Sequence, residues 1–291
     1  YFFIMESTAN DQFTIGLSLH RSGRTDDAIY FYNKALEKNP NLSEALINLG
    51  AVYLEQKQFH KAEPLLKNAL AKKPNDSKIL SNLGNLFQNQ NRFNEAEDAY
   101  IKALENDPSL CATYCNLGSL YLKNHNYESA TEMLEKAISI NPKLLEAHLA
   151  LGAALIKLKK YEKAEKSFRL VISLDEKHSE AHFHIGLILS YNNMYKEAEE
   201  KFRKAVNLKP NWINAIIELA KSLEKQNKNN DAETYFKAAI RSEPNSLLSL
   251  TSYGFFYINQ GKYNKAKKIF DEANNIQSNN TNVLMGLGQI L

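Results

Sequence analysis

The chain has few cysteines, and it lacks the long apolar runs that cross membranes. It has 2 cysteines in 291 residues, too few for a disulfide framework, and two reduced thiols are consistent with a cytoplasmic setting. Its formal net charge of +3 gives no basis for binding nucleic acid. No apolar run approaches the roughly 20 residues that a membrane-spanning helix needs. We therefore expect neither membrane insertion nor a nucleic-acid partner.

Glycine and proline are also sparse, but they are regularly spaced. Of 11 glycines, eight recur every 34 residues: Gly16, Gly50, Gly84, Gly118, Gly152, Gly186, Gly254 and Gly288. Six of the 7 prolines have the same spacing: Pro40, Pro74, Pro108, Pro142, Pro210 and Pro244. Ala220 interrupts the first series and Glu176 the second. One globular core does not require such regularity, whereas a stack of similar units does.

Each 34-residue unit has the apolar pattern of two helices. If the glycine is position 8, then positions 4, 7, 8 and 11 share one face of a first helix, and positions 20, 24, 27 and 28 share one face of a second. Position 20 is always alanine, and we expect the glycine to face it so that the two backbones approach closely. Proline at position 32 ends the second helix because it has no N–H group.

Position 15, between the two helices, is expected to have a positive φ. Glycine and asparagine tolerate that conformation, and they occupy the position in five units: Gly23, Asn91, Asn193, Asn227 and Gly261. The other three units place ordinary residues there, with some strain: Lys57, His125 and Lys159.

The order of Leu-Gly, Tyr, Ala, Phe, Ala and Pro at these offsets resembles the tetratricopeptide repeat. The resemblance covers residues 9–291 without insertion or deletion. It implies an all-α fold, a right-handed α-solenoid (superhelix) of helix-turn-helix hairpins. We expect a leader at 1–8, eight repeats over 9–280, and the first helix of a truncated ninth repeat or a cap at 281–291. The repeats are 9–42, 43–76, 77–110, 111–144, 145–178, 179–212, 213–246 and 247–280.

The two ends of the sequence suggest a fragment. The chain opens on Tyr1 and stops at Leu291, inside a predicted helix. The alternative is that Met5 is the true start and that the last helix is a short cap.

Motifs for catalysis or metal binding are lacking. Cys111 and Cys115 are four residues apart, but no nearby His or Cys completes a four-ligand zinc site. His148 and His182 both occupy position 4, where a partly buried packing role is expected. There is no nucleophile elbow, glycine-rich phosphate loop or HExxH motif. We expect no catalytic residue, no metal and no cofactor.

The resemblance implies that the first helices line a concave groove. Position 6 of three consecutive repeats is asparagine, and three further amides reinforce the series: Asn48, Asn82 and Asn116, with Asn85, Gln88 and Asn89. A carboxamide both donates and accepts, so such a ladder can pair with the backbone of an extended peptide. The alternative is a solvated polar surface without a dedicated ligand.

Farther along, the predicted groove becomes apolar and basic. Its apolar part includes Phe183, His184 and Leu187. A basic strip includes Lys123 and Lys157. This combination suits an amphipathic or acidic partner, with the charges mainly steering its approach. A lysine in the last turn of a helix is also favoured by the helix dipole, which explains the strip equally well.

Three functions fit the sequence. The first is a protein-protein interaction scaffold that binds an extended peptide in its groove. The second is the substrate-recognition arm of a larger enzyme, similar to the arms of O-GlcNAc transferases or of sulfotransferase-like proteins, with a catalytic domain beyond Leu291. The third is an element that self-associates through its uncapped ends.

Overall fold

The computed structural model describes residues 7–290, which form helices and no strands. The fold class is confirmed as an all-α helical repeat. The helices are α1 (Ala9–Arg21), α2 (Thr25–Lys38), α3 (Ser43–Glu55), α4 (Phe59–Lys72), α5 (Ser77–Asn89), α6 (Phe93–Asn106), α7 (Cys111–Lys123), α8 (Tyr127–Ile140), α9 (Leu145–Lys157), α10 (Tyr161–Leu174), α11 (Ser179–Tyr191), α12 (Tyr195–Leu208), α13 (Ile213–Lys225), α14 (Asn229–Ser242), α15 (Leu247–Asn259), α16 (Tyr263–Ile276) and α17 (Thr281–Ile290).

The helices belong to two compact units, divided within α9 between Ala154 and Leu155. In the N-terminal unit the hairpins are α1–α2, α3–α4, α5–α6 and α7–α8, and their first helices α3, α5 and α7 contact one another in sequence. In the C-terminal unit the hairpins α11–α12, α13–α14 and α15–α16 have the same arrangement, with α11, α13 and α15 in contact. First helices of neighbouring hairpins therefore form a shared surface within each unit.

Position 24 supplies one large, fully buried side chain to every hairpin. Each of these residues has no exposed surface: Tyr32, Leu66, Tyr100, Leu134, Phe168, Phe202, Phe236 and Phe270. Burying a side chain of this size stabilises a fold by about 1.5–3 kcal/mol. These side chains join the small residues at positions 20 and 27, which are alanine except for Val171, and the buried residues of the first helices to form the core.

The structure adds a second, nearer partner to the expected approach of the glycine and the alanine. A Cβ added at Gly84 would lie 2.4 Å from Cε1 of Tyr100, and one at Gly118 would lie 2.6 Å from Cγ of Leu134. The carbonyl oxygen of Ala130 is farther from the Gly118 position, at 3.3 Å. The glycine therefore makes room mainly for the large side chain at position 24, which reaches across the hairpin to the first helix.

The turns between paired helices have the predicted conformation. Lys57, His125 and Lys159 have φ values of 58°, 59° and 57°. The asparagines and glycines at the equivalent places also have positive φ: Asn91, Asn193, Asn227, Gly23 and Gly261. Holding an ordinary residue in this region costs about 1–2 kcal/mol, so three turns of the chain are strained.

Candidate functional site

Carboxamide side chains from consecutive first helices line one depression of about 390 Å³ in the N-terminal unit. The helix α3 contributes Ala51, Leu54 and Glu55 to its wall. The remaining lining residues are the amides of α5 and α7, and we call the site the amide pocket: Asn82, Asn85, Gln88, Asn89 and Asn116. The structure thus brings together five of the residues that the sequence suggested.

Helix α5 supplies four of these amides because of its periodicity. Residues three or four apart lie on the same face of a helix, which places Asn82, Asn85 and Asn89 in one row. The start of the helix is fixed by Asp76, whose Oδ1 accepts hydrogen bonds from the backbone N–H groups of Lys78 and Ile79. The row of amides therefore projects from a helix with a well-defined first turn.

The hydroxyl of Tyr100 contacts two of the amides that line the pocket. It lies 2.7 Å from Oδ1 of Asn85 and 2.8 Å from Oε1 of Gln88. A phenol has one proton, so it donates to one of these oxygens, and rotation of the Gln88 amide would let that group donate in return. Burial raises the pKa of Tyr100, which keeps the phenol neutral and able to donate.

Asn85 joins the two helices through its side-chain oxygen. Nδ2 of Asn116 donates to that Oδ1 at 2.7 Å, in addition to the contact from Tyr100. When the phenol donates to Asn85, both lone pairs of the oxygen are used, and the amide N–H groups of Asn85 remain to meet a ligand. In the part of the chain that the structure describes, the Asn82 carboxamide makes no hydrogen bond, so it offers both a donor and an acceptor.

The rim of the pocket carries one acidic group. Oε2 of Glu55 lies 3.3 Å from Nε2 of His20.

Nδ2 of Asn89 donates to the backbone oxygen of Asn85 at 2.8 Å, so Asn89 presents mainly its oxygen. The pocket therefore combines amide donors and acceptors with one carboxylate, and none of its lining residues is basic.

Asn48 differs from the other two members of the predicted ladder. It does not line the amide pocket, and its Nδ2 donates to the backbone oxygen of Glu44 at 2.8 Å. Lys123 and Lys157 are exposed in the last turns of α7 and α9. These lysines are accessible, but they are not part of the pocket.

The predicted open position of Phe183 is corrected. The residue is 9% exposed, and its ring packs against Trp212 and Phe202, with centroid distances of 4.5 Å and 5.8 Å. His184 stacks on Phe168 at 4.8 Å, and burial lowers the pKa of its imidazole. Leu187 is half-buried. Aromatic packing within the C-terminal unit therefore covers most of the apolar part of the predicted groove.

The residues considered as metal ligands, His148, His182 and Cys115, are buried in the packing of the helices. His148 and His182 are 7% and 1% exposed, and Nε2 of each lies within 3.0 Å of a backbone oxygen six residues earlier. Burial raises the pKa of the Cys115 thiol to about 11. Across residues 7–290 no group of three His, Cys, Asp or Glu residues is arranged to hold a metal. In the same range, no helix has the length and apolar character needed to cross a membrane.

Sequence reasoning missed Tyr100, because position 24 is a core position in every repeat. The signal was a tyrosine at position 24 together with amides at positions 9 and 12 of the same repeat, Asn85 and Gln88. Tyr32 is the useful contrast, since Leu17 and His20 occupy those positions in its repeat. Its buried hydroxyl has no hydrogen-bond partner among residues 7–290.

Sequence profiles identify the repeats independently of the geometry. Profiles described as tetratricopeptide repeat match residues 9–42, 31–63, 75–143, 121–182, 179–212, 215–246 and 249–280. The chain belongs to the tetratricopeptide repeat family. Repeat scaffolds of this family are generally non-catalytic, and membership supports a role in protein interaction. No curated protein sequence matches the chain significantly.

Solved tetratricopeptide repeat structures are similar to this one. The MamA protein is 26% identical with a TM-score of 0.54, over 58% of this chain and 92% of its own. YrrB, described as a tetratricopeptide repeat protein with an unusual peptide-binding site, is 26% identical with a TM-score of 0.55, over 64% of this chain and 95% of its own. One chain of the APC/C hetero-tetramer Cut9–Hcn1 is 16% identical with a TM-score of 0.68, over 99% of this chain and 57% of its own. At this identity the likeness shows the fold alone.

Proposed function

We propose that this protein is an interaction scaffold whose amide pocket binds an extended peptide segment of a partner protein. The observation that carries the proposal is the convergence of five carboxamides from α5 and α7 on one depression. A description of YrrB as a peptide-binding member of the same family supports it. The eight repeats at 9–280 are the units that we propose for the array.

Backbone pairing is the recognition mode that suits these groups. An extended peptide alternates N–H and C=O groups, and the amides of Asn82 and Asn85 can match them whatever the peptide side chains are. Tyr100 and Asn116 hold Asn85 in place before the ligand arrives, which reduces the entropy lost on binding. Glu55 at the rim favours a peptide that is neutral or basic at that point.

The other predicted residues have smaller parts in this proposal. Asn48 can join the ladder only by releasing its bond to Glu44. Lys123 is exposed and would attract an acidic flank of the partner, acting mainly on the association rate, whereas Lys157 belongs to the C-terminal unit and has no part in this site. Leu187 and His184 offer little area, because they are partly or largely covered.

Peptides selected from a random displayed library on the folded protein provide the test. Asn82→Ala is the cleanest single change, because its carboxamide has no internal hydrogen bond among residues 7–290. A triple variant, Asn82→Ala with Asn85→Ala and Asn116→Ala, removes about 0.5–1.5 kcal/mol per contact. We expect that triple change to weaken binding of the selected peptides roughly ten- to a thousandfold, measured by calorimetry.

Matched controls lie on the second helices. Asn33 and Asn106 are exposed, and the Nδ2 of each donates to a backbone oxygen four residues earlier. Asn33→Ala with Asn106→Ala should leave peptide affinity unchanged. Selected peptides that bind the triple variant as tightly as the parent would show that the amide pocket is solvated surface.

A further inference from the structure

A second depression, of about 230 Å³, lies in the C-terminal unit between α10, α11 and α12. Ile172 and Ile185 form its apolar part, and Arg169, Lys201 and Lys204 carry its charge. We call it the basic cleft. It shares no residue with the amide pocket, and it lies mainly between second helices, whereas the amide pocket lies between first helices.

Lys201 distinguishes this place from the equivalent places in the array. It occupies repeat position 23, where the other seven repeats have uncharged residues: Phe31, Leu65, Ala99, Met133, Ser167, Tyr235 and Ile269. Its side chain is only 23% exposed. A partly dehydrated cation therefore stands beside two isoleucines, where the repeat pattern would place an uncharged packing residue.

The three cations occur together at this junction alone. They occupy position 25 of one repeat and positions 23 and 26 of the next, and no other pair of consecutive repeats has three basic residues there. Repeat packing does not require them, because the neighbouring junctions pack without them. The cluster is thus a local property of α10 and α12.

The internal counter-charges leave the basic cleft positive. Arg169 bonds Glu165 through Nε and Nη2, at 2.9 Å and 2.5 Å. Lys201 lies 3.3 Å from the exposed Glu200, a type of pair that contributes little. Lys204 has no ion pair within the described part of the chain. Glu165 offsets the charge of Arg169, but no carboxylate is among the residues that line the cleft, so Lys201 and Lys204 leave it positive.

We propose that the basic cleft is a second docking site, which binds an acidic segment of a partner protein. One apolar side chain of the segment lies against Ile172 and Ile185, and flanking carboxylates contact Arg169, Lys201 and Lys204. The charges select an acidic partner and accelerate its association, while burial of the apolar side chain supplies affinity. This site does not depend on the peptide site in the N-terminal unit.

The test uses a fluorescein-labelled peptide, Glu-Asp-Phe-Asp-Glu, with fluorescence polarisation as the readout. We expect binding that weakens with added salt, and no binding of a peptide with lysine in place of the acids or serine in place of phenylalanine. Lys201→Met, which installs the residue found at Met133, and Lys204→Gln should each weaken binding about three- to tenfold. Lys267→Gln, on α16, is the control and should have no effect.

A gain of affinity separates the proposal from general loss of structure. Glu165→Gln releases Arg169 from its internal partner and should tighten binding of the acidic peptide. Equal affinity of the parent and a Lys201→Met, Lys204→Gln double variant would overturn the proposal. Stronger binding of a short single-stranded DNA at the same lysines would also overturn it, in favour of a nucleic-acid site.

Discussion

The ring of Tyr100 lies so close to Gly84 that a Cβ at residue 84 would stand 2.4 Å from its Cε1. This contact places the phenol hydroxyl beside Asn85, the residue after Gly84, and Gln88, one turn farther along the same helix. A repeat-defining glycine, normally considered a packing residue, thus also positions the phenol that contacts two amides of the amide pocket. Stability and peptide affinity are expected to change together when it is altered.

Gly84→Ala tests that link. The added methyl must displace the Tyr100 ring, and we expect a loss of about 1–3 kcal/mol in unfolding free energy together with weaker peptide binding. Gly288 is the matched control, because it occupies the same repeat position in α17 and a Cβ there meets nothing within 4 Å. Gly288→Ala should stabilise slightly, by about 0.5–1 kcal/mol. Similar melting temperatures for the two variants would contradict this interpretation.

Two tyrosines at position 24 give a second test. Tyr100→Phe removes a hydroxyl that contacts Asn85 and Gln88, and we expect it to cost about 0.5–1.5 kcal/mol and to weaken peptide binding. Tyr32→Phe removes a buried hydroxyl that has no partner, so it should be neutral or stabilising. The melting temperatures of the two variants, measured by circular dichroism, provide the comparison. If Tyr32→Phe is the more damaging change, the hydrogen-bond argument is wrong.

The strained turns can be relieved by glycine. Lys57 has a φ of 58°, and Lys57→Gly should raise the unfolding free energy by up to about 1 kcal/mol, after the greater freedom of glycine in the unfolded chain is subtracted. Lys57→Ala removes the same side chain but keeps the strain, and it should give no gain. Denaturant titration of both variants measures the difference, and an equal gain for alanine would exclude strain as the cause.

Glu199 should make stability depend on pH. Burial of this carboxyl opposes its ionisation, but hydrogen bonds from Lys228, Arg203 and Gln226 outweigh that effect and lower its pKa from 4.5 to about 2. A lowered pKa means that the ionised form stabilises the fold above about pH 4.5, and that this contribution disappears as the pH falls through about 2.

Glu199→Gln isolates this contribution. The variant should lose about 1.5–3 kcal/mol at neutral pH, and its melting temperature should converge with that of the parent between about pH 4.5 and 2. Glu200→Gln is the control, because Glu200 is exposed. A constant difference at all pH values would show that ionisation of Glu199 is not the cause.

The sequence was sufficient for the helices and the turns, because glycine, alanine and proline recur where backbone geometry requires them. It was insufficient to show that the side chain at position 24 lies nearer to the glycine than the alanine at position 20 does, because both positions share one helix face. Asn48 and Asn82 occupy the same repeat position, yet the first bonds its own helix.

Phe183 illustrates a different limit. Its repeat position predicts exposure, but Trp212 covers it from the loop before α13. Trp212 is the last residue of its repeat, outside the helical pattern, and it is the single tryptophan of the chain. No periodicity argument could place its ring on Phe183.

That single tryptophan is also a built-in optical probe. Indole emission from Trp212 originates only in the C-terminal unit and senses the surroundings of Phe183, whereas the tyrosines are distributed over both units. Fluorescence excited at wavelengths that only tryptophan absorbs therefore reports on the C-terminal unit alone. Circular dichroism reports on all the helices. The two signals can separate the order in which the units lose their structure, without any label attached to the protein.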